Sequence, residues 1–331
     1  MKKKIVLINE IGLNDVFTNA FEEQDFEVIS ILKKPFVYKR NLWFKILNIY
    51  YRLILKDTNF HGKNFYWQLN KEVYRRIKKI EGNVDYCLFF RADYYDEKII
   101  KFLKEKSNLL ISYQYDGWKL GKGILRHKKY LDRVYFFDKE DIAKYGEKAF
   151  PLTNCYFENN YTSTDTEMDV YYLGTHTKDR LRLIERLHAR LNGNFLIKSI
   201  LKTPDYIAER TENNIHFTHN SLTYNQNINL LIRAKCIIDI KFDYHDGLSF
   251  RFFEALYYNK KIITNNKSVV NYDFYNPNNI FVTDFENFDG IENFLNTPYE
   301  AIDTNVVKKY GFINWYHYVL DIPPYQEITL P

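Results

Sequence analysis

Three cysteines in 331 residues, Cys87, Cys155 and Cys236, are too few for a disulfide framework. None is spaced with another Cys or a His as a zinc site or redox pair requires, so they read as reduced core thiols of a cytosolic protein. Long apolar runs are also missing, because no segment reaches the ~20 residues needed to cross a bilayer. The amino-terminal stretch MKKKIVLINEIG starts basic, but its apolar run stops at Asn9 and Glu10 with no small-residue cleavage site. It reads as a first buried strand. No internal repeat, low-complexity tract or nucleic-acid-binding motif occurs, so nucleic acid is not an expected partner.

What is present is core material. Apolar residues make up 46% of the chain, with 29 Tyr and 26 Phe. That is enough for two cores, and at this length two packed domains are the expectation. Short apolar runs alternate with helical patterns in both halves, the signature of parallel α/β layers. Strands are expected at Lys4–Ile8, Glu27–Leu32, Tyr86–Arg91, Leu109–Tyr115 and Arg133–Phe137 in the first half. The second half predicts Asp169–Leu173, Phe195–Ser199, Ile215–Phe217, Cys236–Ile240, Lys261–Thr264 and Ile280–Val282. The polar stretch ENNYTSTDTE has linker composition, which puts the domain boundary near 160. One continuous aromatic-rich helix is expected over Lys308–Asp321.

Net charge is only +5, but it is unevenly spread: from Lys33 to Lys79 there are 13 Lys or Arg against Asp57 and Glu72. A helix over Asn41–Lys56 would align Asn41, Lys45, Asn48, Arg52 and Lys56 in one stripe, with apolar residues around the rest. Two readings fit. Either this basic, aromatic segment contacts an anionic membrane surface, or the helix packs on its own sheet with a solvated basic edge.

The richest stretch is CIIDIKFDYHDGLSFRFFEALYYNKKIIT, in which an apolar strand enters a polar loop, then Gly247, then a helix, then another strand. In an open α/β sheet, ligands bind beyond the carboxyl ends of strands, and a helix N-terminus there favours a diphosphate. Gly247 would allow close backbone approach, Ser249 is an N-cap or phosphate donor, and Arg251 adds a fixed charge. The spacing from Asp246 to Glu254, with Gly247, Leu248, Ser249 and Arg251 between them, resembles the E-x7-E motif of GT-B glycosyltransferases. Asp246 replaces the first glutamate. The resemblance is to bacterial enzymes of capsule, lipopolysaccharide and exopolysaccharide synthesis. It implies two Rossmann-like doubly wound domains facing a cleft: 1–160 on the acceptor side, 161–307 binding the nucleotide-sugar, and 308–331 crossing back. It also implies that Glu254 holds the ribose and that Asp246 sits near the sugar. A plain Arg251–Glu254 contact is the alternative.

A second strand-Gly-helix unit, DVYYLGTHTKDRLRLIERL, offers Gly174, Thr175, Lys178 and Arg180 to the donor phosphates. Lys178 fits a solvated first helical turn equally well. Before the next strand, Ser221 joins these, and Tyr224 either stacks on a base or packs in the core. In the first half, Arg91 and Asp93 of FFRAD, with Trp118 of SYQYDGW, are acceptor candidates. Asp116 is the candidate general base, unless it only caps a turn with Gly117. An Asp116 base leans to inversion, and the E-x7-E resemblance to retention.

No Asp-x-Asp occurs in the sequence, so a divalent cation is not expected to hold the diphosphate, and no cofactor is expected beyond the donor itself. The reading is glycosyl transfer from a nucleotide-sugar to a glycan or lipid-linked acceptor by a cytoplasmic or membrane-peripheral enzyme. A nucleotide-sugar epimerase or a silent glycan-binding scaffold are its rivals.

Overall fold

The computed structural model describes residues 2–9, 13–34, 36–158, 161, 165–241 and 245–331. Two compact units emerge. The first gathers the described residues of 1–136 and 140–150, and the second those of 137–139 and 151–331.

In the first unit the chain runs β1 (Lys4–Ile8), α1 (Asn14–Glu23), β2 (Glu27–Ser30), α2 (Leu42–Leu53), α3 (Phe60–Ile77) and β3 (Val84–Phe90). It continues through α4 (Glu97–Lys106), β4 (Ser107–Gln114), the short α5 (Trp118–Gly121), β5 (Arg133–Phe136), α6 (Lys139–Tyr145) and β6 (Ala149–Pro151). The sheet order is β2-β1-β3-β4-β5-β6. Ile5, Val6, Leu7 and Ile8 are all fully buried, because helices cover both faces of a parallel sheet and leave no polar side for alternation.

The second unit begins with β7 (Met168–Thr175), α7 (Lys178–Leu191), β8 (Ile197–Lys202), β9 (Arg210–Glu212), β10 (Ile215–Thr218) and α8 (Tyr224–Leu231). It ends with β11 (Ala234–Asp239), α9 (Phe250–Tyr257), β12 (Lys261–Thr264), β13 (Ile280–Val282), α10 (Ile291–Asn296), α11 (Thr304–Lys309) and α12 (Phe312–Leu320). Its order, β13-β12-β11-β7-β8-β10-β9, matters for function. The chain builds outward from β7 through β8 to β10, then returns to β11 on the other side of β7. Adjacent parallel strands β7 and β11 therefore form a topological switch point. The first sheet has its own between β1 and β3. At such points the flanking loops diverge and leave a crevice beyond the strand ends.

The continuous helix expected over 308–321 is two helices, α11 and α12. Between them the backbone pairs with the passing chain: Tyr156 N donates to Tyr310 O at 3.1 Å, and Phe312 N to Tyr156 O at 2.9 Å. A Cβ at Gly311 would stand 2.3 Å from Glu158 Oε1 and 2.9 Å from the Tyr156 hydroxyl, so a larger residue would have to displace the ends of both side chains. The α12 helix is anchored on the same passing segment, where buried Trp315 Nε1 donates to Thr153 O at 3.0 Å.

Candidate functional site

The candidate donor site lies at the carboxyl ends of β7, β8 and β11. Asp239 closes β11, is 3% exposed, and accepts from two residues of the following loop and helix. Ser249 Oγ donates to Asp239 Oδ1 at 2.6 Å, and Arg251 Nη1 to the same oxygen at 3.3 Å. Arg251 Nη2 also donates to Leu173 O on β7. One guanidinium thus spans the switch point, tied to a carboxylate of one strand and a carbonyl of its neighbour. Burial weighs against its charge, but Asp239, Tyr172 and Glu254 outweigh that and hold its pKa above the ordinary value.

Ser249 stands at the N-cap of α9, yet its hydroxyl makes no capping bond, because it is turned to Asp239. Gly247 is required for a reason the sequence does not show. A Cβ there would lie 2.1 Å from the Phe137 ring, so the backbone's close approach is to an aromatic of the same unit. The loop is held further by Asn154 Nδ2, which donates to the carbonyl of buried Leu248 at 2.9 Å. Asp246 ion-pairs with Lys241, and its carbonyl accepts from Ser268 Oγ at 2.8 Å.

Glu254 is 3% exposed. Burial pushes its pKa up to about 7, against the opposing pull of Arg251 and a hydrogen bond with Tyr224. Tyr224 therefore faces inward. It is half-buried, and its ring meets Phe157 edge-on at 5.6 Å.

Across the switch point, Gly174 admits the Tyr172 hydroxyl, which a Cβ would meet at 2.3 Å. Thr175 is exposed at the end of β7. Arg180 on the first turn of α7 reaches back, with Nη1 to Thr175 O at 3.4 Å and Nη2 to Ile240 O at 3.3 Å. Thr177 caps this helix by accepting from Arg180 N at 3.1 Å, while Lys178 points to solvent. The β7–β8 register pairs Thr175 with Lys202, whose Nζ donates to Ser221 Oγ. Lys202 and Asp239 are the residues that sequence reasoning missed. Asp239 left one signal, a lone charge inside the apolar strand CIIDI. Lys202 left none.

In the first unit the corresponding strand ends hold an ion cluster. Arg91 is fully buried and adopts left-handed backbone (φ 67°, ψ 69°), uncommon for a side-chain-bearing residue. Its Nε and Nη2 fork onto Asp93 at 2.8 and 2.7 Å, Nη1 binds Asp116, and Nη2 also donates to Leu120 O at 2.9 Å. Its plane lies 4.3 Å from the Tyr94 ring centroid. Arg91 therefore has no exposed edge for an acceptor. It positions Asp93 and Asp116 instead. The Asp116 side chain stays 27% exposed, and Trp118 is half-buried at the start of α5.

No family model matches the sequence, and no curated protein matches it. Solved structures do. A UDP-forming α,α-trehalose-phosphate synthase from Burkholderia xenovorans aligns over 97% of this chain and 99% of its own, with a TM-score of 0.57 and 12% identity. The same kind of enzyme in complex with glucose-6-phosphate aligns at a TM-score of 0.55 and 11% identity, over 95% and 98% of the two chains. A UDP-N-acetylglucosamine 2-epimerase aligns over 99% of this chain and 100% of its own, at a TM-score of 0.51 and 10% identity. With two Rossmann-like parallel-sheet units in one chain, and these neighbours across nearly its whole length, the protein has the GT-B fold.

Proposed function

We propose that this protein is a glycosyltransferase that moves a sugar from a nucleotide-diphosphate sugar to a growing surface glycan of the lipopolysaccharide, capsule or exopolysaccharide kind. The observation that carries the reading is the cationic switch point of the second unit. Arg251, Arg180 and Lys202 converge at the ends of β11, β7 and β8, with Asp239 as the carboxylate bound to Arg251. As the bond from sugar to diphosphate breaks, negative charge accumulates on the leaving phosphate. Fixed guanidinium and ammonium groups at a helix N-terminus stabilise that charge without reorganising.

In this reading Gly174, Thr175, Ser221 and Ser249 border the diphosphate, and Glu254 with Tyr224 borders the ribose. Asp246 lies by the transferred sugar. Asp116 takes the proton of the attacking acceptor hydroxyl, with Asp93 and Trp118 beside the acceptor. No step needs a metal ion, so turnover should survive chelation by EDTA. The acceptor is glycan or lipid-linked glycan, and the enzyme works in the cytoplasm or on the inner face of the cytoplasmic membrane.

A thermal-shift screen of nucleotide-sugars tests the donor, since a ligand that binds the folded state raises the melting temperature. Glu254→Ala should weaken the best donor, and unchanged affinity would mean that the nucleotide sits elsewhere. Incubation with donor alone separates the neighbouring activity, because a chain that turns over donor without acceptor is an epimerase. A chain that binds no nucleotide or nucleotide-sugar by calorimetry is neither.

A further inference from the structure

The first unit carries a second feature that the donor chemistry leaves unused. Twelve residues of α2 span about 18 Å at 1.5 Å per residue, and one of them, Phe44, is buried. The helix rests on α3 by a single edge: Phe44 and Tyr51, seven residues apart, stack on Phe60 at centroid distances of 5.6 and 4.3 Å. The opposite edge is a continuous apolar stripe at helical spacing. Leu42 is 72% exposed, Ile46 49%, Ile49 57% and Leu53 69%, with Trp43 at 72% and Tyr50 at 48% along its side. Ile54, Leu55 and, on α3, Trp67 extend it. Of the 18 large hydrophobic residues exposed among the described residues, 12 fall between Val37 and Trp67, so exposed apolar surface is concentrated in this stretch of the chain.

Charge decides what covers it. Lys45 and Arg52 lie on α2 beside the stripe, Lys39, Arg40 and Lys56 flank that helix in the chain, and Lys33 and Lys34 precede it. The two carboxylates of the segment are already paired, Asp57 with Lys63 and Glu72 with Arg75 and Arg76. Among the described residues none of the seven cations just named forms an ion pair. A second copy of the chain seated on this face would bring the same cations against each other, which a two-fold contact cannot avoid. An anionic lipid surface satisfies both parts at once: headgroups take the cations, the acyl boundary takes the stripe, and Trp and Tyr sit at the interface. No helix of the described residues is long and apolar enough to cross a membrane, so contact lies in the plane.

We infer that α2 is an in-plane anchor that docks the protein on an anionic lipid surface, with Leu42, Ile46, Ile49 and Leu53 entering the acyl boundary and Lys45 and Arg52 on the headgroups. The inference does not rest on the transfer reaction. All its residues lie in the first unit, and its readout is binding alone.

The test floats the full chain with phosphatidylcholine vesicles, with or without phosphatidylglycerol, at low and high salt. The protein should float with the anionic vesicles at low salt and be weakened by high salt. The exposed-stripe variant Ile46→Ser/Ile49→Ser/Leu53→Ser and the charge variant Lys45→Glu/Arg52→Glu should each lose affinity by at least about tenfold, two cations at the surface being worth that much or more. Both change exposed positions, and an unaltered circular dichroism spectrum and melting temperature would show that the fold is kept. Three results overturn the inference. The wild-type protein could stay in the soluble fraction with anionic vesicles at low salt, or either variant could float like the parent. The protein could also run as a dimer that the stripe variant dissolves, which would give the face to a second copy.

Discussion

Each unit puts an arginine at the carboxyl end of its sheet and binds it to aspartate, yet the two arginines are different devices. Arg91 has no solvent exposure, and Nε, Nη1 and Nη2 together make four bonds to Asp93, Asp116 and Leu120 O. Arg251 keeps 29% of its side chain exposed and makes two bonds among the described residues, one to Asp239 and one to Leu173 O. The first guanidinium is consumed by its own fold. The second is fixed in direction and still has donors to offer. The surroundings differ as well: two carboxylates close on one cation in the first unit, whereas Arg251, Arg180 and Lys202 gather beside Asp239 in the second.

The comparison predicts its largest effect at Arg91. Arg91→Met strands the Asp93 carboxylate, which is 5% exposed, and should cost about 3–5 kcal/mol of stability in a urea titration. A variant that unfolds at the parental midpoint would break the distinction between lock and ligand.

Next comes Glu254, whose pKa rises from the ordinary 4.5 to about 7 on burial. Between these values the folded state holds a proton that the unfolded state has lost. Stability therefore falls as pH rises from about 4.5 to about 7, by about 3 kcal/mol in all. Glu254→Gln should abolish that slope, matching the parent at pH near 4.5 and exceeding it at pH near 8. A parental slope that survives the substitution would locate the proton elsewhere.

Smaller effects sharpen the picture. Arg251→Lys keeps the charge beside Asp239 but loses the planar fork, so donor affinity should drop roughly tenfold by calorimetry while stability moves by less than about 1 kcal/mol. Equal losses of binding and stability would make Arg251 a second Arg91. Least of all, Ser249→Ala removes one hydrogen bond to buried Asp239, with an expected cost of about 1 kcal/mol in thermal unfolding.

Several of these residues could be read before any coordinates. The alternation of apolar runs placed β1, β12 and β13 at the observed ends, and in β1 the helices on both faces leave no polar side. The strand-loop-helix pattern around Gly247 likewise put Ser249 at an N-cap and Arg251 on the first turn of α9. Boundaries slipped where packing overrode the pattern. The strand expected over Cys236–Ile240 runs from Ala234 to Asp239, since Ala234 is already paired with Met168 of β7. The long terminal helix breaks at Gly311, where a chain more than 150 residues upstream passes through.

The amino-acid sequence determined the parallel α/β class, the two cores and the loop that carries the candidate site, since each follows from local periodicity and composition. Tertiary structure decided what the polar residues do. Asp239 joined the site because β11 pairs with β7 and α9 folds back over it, and Lys202 because the β7–β8 register sets it beside Thr175. Arg91 left the set of surface ligands because burial turned it into the partner of Asp93 and Asp116, and Tyr224 turned inward to Glu254. A charge seen in sequence has a type and a position along the chain. Whether it meets water, a ligand or a counter-charge depends on residues brought in from elsewhere, and on the desolvation that only their packing imposes.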